Sequence, residues 1–237
     1  MKTLQVTFIY LFLLMVSLFP NPVYAAAISP EESDRILTGI FNKYIPIYTK
    51  YRGVESTSKN IIREYNAQNN VLKSTSEVTL RRKDYFYAEP EVKVLSYKKD
   101  GKDKDPSAYR SKESKPGYLA FDRKGTDHYT LKIMDKKMIG KRECYRIDVL
   151  PKKATPRHFK GEIYCAADTL DLVQSVGGAG ALEFPIKQFW AAFDYMLVNN
   201  VSVAKAGTMK VLVDVPVFYP NKLIVTDTTI LEARLLE

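Results

Sequence analysis

The sequence predicts a mainly β protein with few helices, built as an antiparallel meander behind one N-terminal helix. Three observations carry this. Sixteen tyrosines and eleven phenylalanines, together with abundant Val, Ile and Thr, favour strands. From Val54 onward, short segments of alternating character are separated by turn residues such as Asn69-Asn70, Asp100-Gly101, Lys124-Gly125, Gly177-Gly178 and Pro220-Asn221. No helical pattern alternates with those segments, so the strands pair with their chain neighbours rather than through crossovers.

The chain opens with a targeting pattern. Lys2 is followed by an apolar run from Leu4 to Phe19, then by Asn21-Pro22 and the small-residue site Val23-Tyr24-Ala25. The apolar run is short for a membrane span and has a cleavage site at its end, so residues 1–25 read as a secretory signal peptide. Cleavage is expected before Ala26, leaving residues 26–237 as one exported, periplasmic domain. No cysteine stands at that new N-terminus, so no lipid anchor is expected.

One helix is well signalled. Ser29-Pro30-Glu31-Glu32 has the form of a capping box with proline at the first helical position. Ile36, Leu37, Ile40, Phe41 and Tyr44 then recur at helical spacing and form one apolar stripe. Pro46 is expected to kink or end the regular helix, with Gly53 closing the segment. The expected strands follow at 56–65, 71–82, 85–97, 117–122, 128–134, 138–150, 159–165, 170–176, 181–193, 208–217 and 223–235. Between them, residues 98–116 hold seven basic and four acidic residues, two prolines and almost no aliphatics. That stretch cannot bury itself and reads as a long solvated loop.

Charge is unevenly spread. Residues 26–160 carry 30 Lys and Arg against 18 Asp and Glu, whereas residues 161–237 carry 5 against 9. A basic first half suits anionic headgroups or an acidic protein partner, or serves only solubility. Export disfavours nucleic acid as a partner.

Catalytic chemistry is poorly supported. The two histidines, His128 and His158, have no Cys, Asp or Glu at metal-ligand spacing, so no metal site and no cofactor are expected. There is no Gly-x-Ser-x-Gly elbow and no phosphate loop, and Gly177-Gly178-Ala179-Gly180 lacks a following helix. The protein is not expected to be an enzyme.

Cys144 and Cys165 flank a hairpin whose turn is residues 152–158. In one register they face each other, and in an oxidising compartment a disulfide between them is expected. The apolar alternation Tyr145, Ile147, Val149 fits Phe159, Ile163, Cys165 better one residue away, which would put the two cysteines on opposite faces as free buried thiols.

At this hairpin the chain resembles a known superfamily. Gly140-Lys-Arg-Glu-Cys-Tyr-Arg-Ile-Asp-Val-Leu-Pro-Lys152, then Phe159-Lys-Gly-Glu-Ile-Tyr164 and Asp168-Thr-Leu-Asp-Leu-Val173, is similar to the outer-membrane lipoprotein-sorting and carrier proteins of the LolA/LolB type. Leu80-Arg-Arg-Lys-Asp-Tyr-Phe-Tyr87 with Asp100-Gly101-Lys102 matches the family's basic-aromatic strand and Asp-Gly-Lys turn. The resemblance implies a strongly curved antiparallel sheet, an incomplete β-barrel, covered by the N-terminal helix and loops. It also implies an apolar cavity for lipid or lipoprotein acyl chains, with Ile36, Leu37, Ile40, Phe41 and Tyr44 as its lid or wall. The expected function is a monomeric lipid or lipoprotein carrier; the alternative is an envelope regulatory module that uses the same fold to bind proteins.

Overall fold

A computed structural model describes residues 28–109, 117–214 and 221–237. The signal peptide expected at residues 1–25, and residues 110–116 of the basic loop, lie outside the described residues.

Helix α1 spans Pro30–Lys50. Ser29 is extended, and its hydroxyl accepts from the Glu32 amide at 3.1 Å, which satisfies one of the orphan donors of the first turn. Pro46 neither ends nor replaces the helix, which runs on to Lys50. Proline removes a single donor, and the next turn is held by the Thr49 hydroxyl donating to the Ile45 carbonyl and the Tyr51 amide donating to that of Ile47.

Among the described residues eleven strands follow: β1 (Gly53–Asn66), β2 (Leu72–Tyr85), β3 (Glu91–Lys99), β4 (Lys102–Lys104), β5 (Tyr129–Ile139), β6 (Arg142–Pro151), β7 (Phe159–Ala166), β8 (Leu172–Ala179), β9 (Ile186–Val198), β10 (Val201–Val213) and β11 (Lys222–Leu236). They form one antiparallel sheet in the order β4-β3-β2-β1-β11-β10-β9-β8-β7-β6-β5. The sheet is strongly curved but does not close, so it is an incomplete barrel with free edges at β4 and β5. The long pairing of β1 with β11 welds the first and last strands into its middle.

Several boundaries differ from the sequence expectation, for local reasons. Gly140 adopts φ of 61° and makes a two-residue turn between Ile139 and Arg142, splitting what reads as a strand over 138–150. Asn199 and Asn200 both have positive φ, so β10 begins at Val201 rather than at Thr208. The basic stretch is not wholly loop: Asp100 and Gly101 turn the chain so that β4 pairs with β3, and Asp105 then caps a 3-10 turn at Pro106–Ala108. Residues 117–122 form no strand. β4 and β5 are consecutive in the chain yet lie at opposite edges; of the connection between them, residues 117–124 run beside α1 as a strap. This strap ends in a short helix, α2 (Gly125–His128).

The core sits where α1 meets β5, β6 and β7. Ile36, Ile40 and Tyr44 pack against Tyr129, Ile133, Ile147, Val149 and Ile163, with Phe121 of the strap between them. The hairpin register settles the cysteines. Cys165 lies opposite Tyr145, and Cys144 lies opposite Ala166, so the two fall on opposite faces. The expected disulfide is therefore corrected: both thiols are free and buried, and burial raises both above the ordinary thiol range. The apolar alternation wins over the facing register because shifting β7 by one residue would turn Ile163 out of the core.

Candidate functional site

The concave face of the sheet has two unlike halves. Over β5–β7 it is filled by α1. Over β1, β2 and β9–β11 it is open, leaving a groove of about 860 Å³. Phe189, Phe193, Met209, Ile230, Ile62 and Leu80 give it an apolar lining, while Ser58, Asn60 and Thr228 supply polar atoms at the floor. Its mouth is bordered by Pro156–Phe159 of the β6–β7 turn, by Leu182 and Glu183 after β8, and by Tyr109 at the end of the 3-10 turn. Arg82 reaches this space but is paired with Asp84, Nε to Oδ1 at 2.5 Å.

Two smaller cavities adjoin the strap. One of about 500 Å³ lies between the last turns of α1 and residues 117–124, lined by Tyr48, Phe86, Tyr118 and the charged Asp122, Arg123 and Lys124. An inner one of about 320 Å³ lies between α1 and the sheet, lined by Tyr44, Tyr48, Phe121, Phe159, Ile163 and Tyr195. Burial raises the phenols of Tyr44, Tyr48 and Tyr195, so these rings enter the space as neutral aromatics, with the Tyr44 and Tyr195 hydroxyls beside those of Ser202 and Ser175.

The helix stripe is placed as follows. Ile36 and Ile40 are core, and Ile40 is fully buried. Leu37 is half-buried against the same cluster. Phe41 is half-buried and meets Phe121 edge-on, with ring centroids 6.2 Å apart. Tyr44 alone of the five lines one of the three cavities described above. Its hydroxyl accepts from the Leu172 amide at 2.7 Å and sits 3.2 Å from the Ser202 hydroxyl. Beside it, Lys43 donates to the Thr169 carbonyl at 2.8 Å and forms an ion pair with the buried Asp171. The helix is thus pinned at mid-length to the β7–β8 turn.

Sequence reasoning treats the two histidines as isolated, and the structure brings them together. In a meander, β5 and β7 run parallel on either side of β6, so their first residues fall at the same end of the sheet. His128 precedes β5 and His158 precedes β7. Tyr118 of the strap stacks on both, with centroids at 4.0 and 4.5 Å, and the Arg157 guanidinium lies 4.5 Å above the Tyr118 ring. The Tyr129 hydroxyl donates to the Tyr118 carbonyl at 2.9 Å and accepts from the Phe159 amide. Thr155 Oγ1 lies 2.6 Å from His158 Nδ1. Burial, then His128, Arg157 and Lys153, hold His158 below the ordinary imidazole range. This cluster fastens the strap to the β6–β7 turn; the only sequence signal for it is that both histidines immediately precede strands. Among the described residues, no three His, Cys, Asp or Glu stand together as a metal site.

No protein-family model matches the chain, and no curated protein matches it at a significant level. Solved structures similar to it include an outer membrane lipoprotein-sorting protein domain from Vibrio parahaemolyticus, 13% identical, with 84% of this chain and 93% of that chain covered and a TM-score of 0.44. A LolA superfamily protein from Nitrosomonas europaea is 8% identical, with 86% and 94% covered and a TM-score of 0.42. A DUF1329 family protein from Desulfovibrio piger is 11% identical, with 86% and 92% covered and a TM-score of 0.41.

Proposed function

We propose that the protein is an exported carrier of acyl chains, monomeric in its working state, which holds them in the open half of its concave sheet. The groove itself supports this most: about 860 Å³ with Phe189, Phe193, Met209 and Ile230 facing it, within the range of about 300–1,000 Å³ usual for small-ligand sites. Each methylene transferred from water to such a lining contributes about 0.8 kcal/mol, so a medium-length chain supplies its own driving force. The chemistry is burial rather than bond-making, as the raised thiols and the depressed, aromatic-stacked His158 offer no poised nucleophile or base. In this reading Ile36, Leu37, Ile40 and Phe41 anchor the covering helix, and Tyr44 is the stripe residue that reaches the inner cavity.

Native mass spectrometry of protein recovered from the exported fraction tests this, together with uptake of a fluorescent fatty acid. Co-purified lipid and saturable uptake are expected, on a chain that begins at about Ala26. A second reading, an envelope module that binds proteins, draws on Leu182 and Phe184 at and beside the groove mouth, 41% and 79% exposed. It takes over if no lipid co-purifies and no probe is taken up.

A further inference from the structure

The register of the groove floor carries its own chemistry. One row across the concave face runs Val78, Asn60, Thr228, Gly207, Phe193 from β2 to β9, and the next runs Ser76, Ile62, Thr226, Met209, Ala191. The floor therefore holds a polar patch, Ser58, Asn60, Thr226 and Thr228 on β1 and β11, bounded by Ile62 and Ile230 on the same strands and by the apolar wall of β10 and β9, where the Phe193 ring lies over Gly207 so closely that a Cβ there would meet it at 2.2 Å.

The polar strip is nearly buried even with the groove empty: Ser58, Asn60 and Thr226 are 7%, 8% and 9% exposed. The Asn60 amide donates to the Ser58 hydroxyl at 3.1 Å, and its oxygen accepts from Thr228 Oγ1 at 2.8 Å. That uses one amide proton and leaves the second for a ligand. A plain hydrocarbon laid on this strip would strip water from hydroxyls and an amide and give nothing back. A charged head on this strip is no better served, because Arg82 beside it is committed to Asp84 and the pair brings no net charge, while Arg157 and Glu183 border the mouth with opposite charges.

We infer that the groove takes an acyl amphiphile whose head or linkage carries uncharged hydrogen-bonding groups, hydroxyl, ester or amide, set on the Asn60–Thr228 strip with its chain against Phe193 and Met209. This rests on the carrier reading and narrows its ligand. It also relocates selectivity from the basic surface, where charge composition puts it, to the neutral floor.

The test is displacement of a bound fluorescent fatty acid by two competitors of equal chain length, 1-monolauroylglycerol and laurate, at low and moderate salt. The wild-type protein should prefer the glycerol ester by about tenfold, a difference of about 1.4 kcal/mol. The double variant Asn60→Leu/Thr228→Val should bring the ratio near one, by weakening the glycerol ester relative to laurate. Circular dichroism checks its fold. If it does not fold, Thr226→Val, which keeps shape and removes a hydroxyl, should lower the same ratio. Equal competition in wild type, or a ratio unchanged by the substitutions, overturns the inference and leaves the carrier standing. Absence of probe uptake by wild type removes both.

Discussion

His158 is 5% exposed and lies under Tyr118 and against Tyr129, with Thr155, His128, Arg157 and Lys153 around it. Its folded state disfavours the imidazolium, since burial comes first and three neighbours that are or become cationic add to it. The unfolded chain therefore binds more protons, and the stabilisation is complete above the ordinary imidazole value of about 6.5. It is lost as the pH falls from there through the lowered folded value. Melting temperature should decline as the pH falls below about 6.5, with loosening of the strap that Tyr118 holds. His158→Gln, which keeps a hydrogen-bonding group near Thr155 but cannot ionise, should flatten that limb. Parallel profiles for variant and wild type would remove His158 as its cause. Beyond the place of both histidines just before strands, the residue pattern around 128 and 158 does not announce this cluster, because its members come from three segments joined only when the meander brings the starts of β5 and β7 to the same end of the sheet.

At the scale of elements, α1 is held by two different devices. One is the apolar stripe, legible in the sequence because cap, period and burial agree. The other is polar and distant: Lys43 to Asp171, and Tyr44 to the Leu172 amide and Ser202, across more than 120 residues of chain. No local pattern can show that. Arg142 also reaches Asp171 at 3.5 Å and donates to Thr169 at 2.9 Å, so one buried carboxylate gathers two cations. Burial alone would raise the Asp171 carboxyl, but Lys43, Thr169 and Arg142 together hold it below the ordinary carboxylate range. Removing the carboxylate leaves Lys43 half-buried without its partner, so Asp171→Ala should cost roughly 3 kcal/mol in denaturant titration. In wild type, this contribution is complete above about pH 4 and lost as pH falls through the lowered value, a limb separate from that of His158. A cost under about 0.5 kcal/mol, the size expected of a surface pair, would show that the stripe holds the helix unaided. The turns are legible only in part, for a similar reason. Asp100-Gly101 is legible, whereas Asn199-Asn200 lies inside an apolar run, and Gly140 stands as a lone glycine with no second turn residue beside it.

The whole molecule divides its concave face between two tasks, and the division follows from β1 pairing with β11. That pairing carries β1 and β2 past the last strand, away from α1, and extends the sheet beyond the area one helix can cover. The sequence shows the strands but not this closure, which joins residues some 180 positions apart. It therefore points to the helix stripe as the ligand wall, when most of that stripe is core. Two substitutions separate core from groove. Met209→Trp adds bulk in the open half, where Met209 is only partly buried, and should weaken fatty-acid uptake about tenfold with melting temperature nearly unchanged. Ile40→Ala empties space in the filled half, where the side chain is fully buried, and should cost about 2–5 kcal/mol of stability. Measured well below its melting temperature, the Ile40 variant should bind the probe nearly as wild type does, since its side chain lines none of the three cavities described. If Ile40→Ala abolishes uptake while Met209→Trp spares it, the acyl chain lies under the helix, in the inner cavity beside Tyr44, and the open groove serves something else.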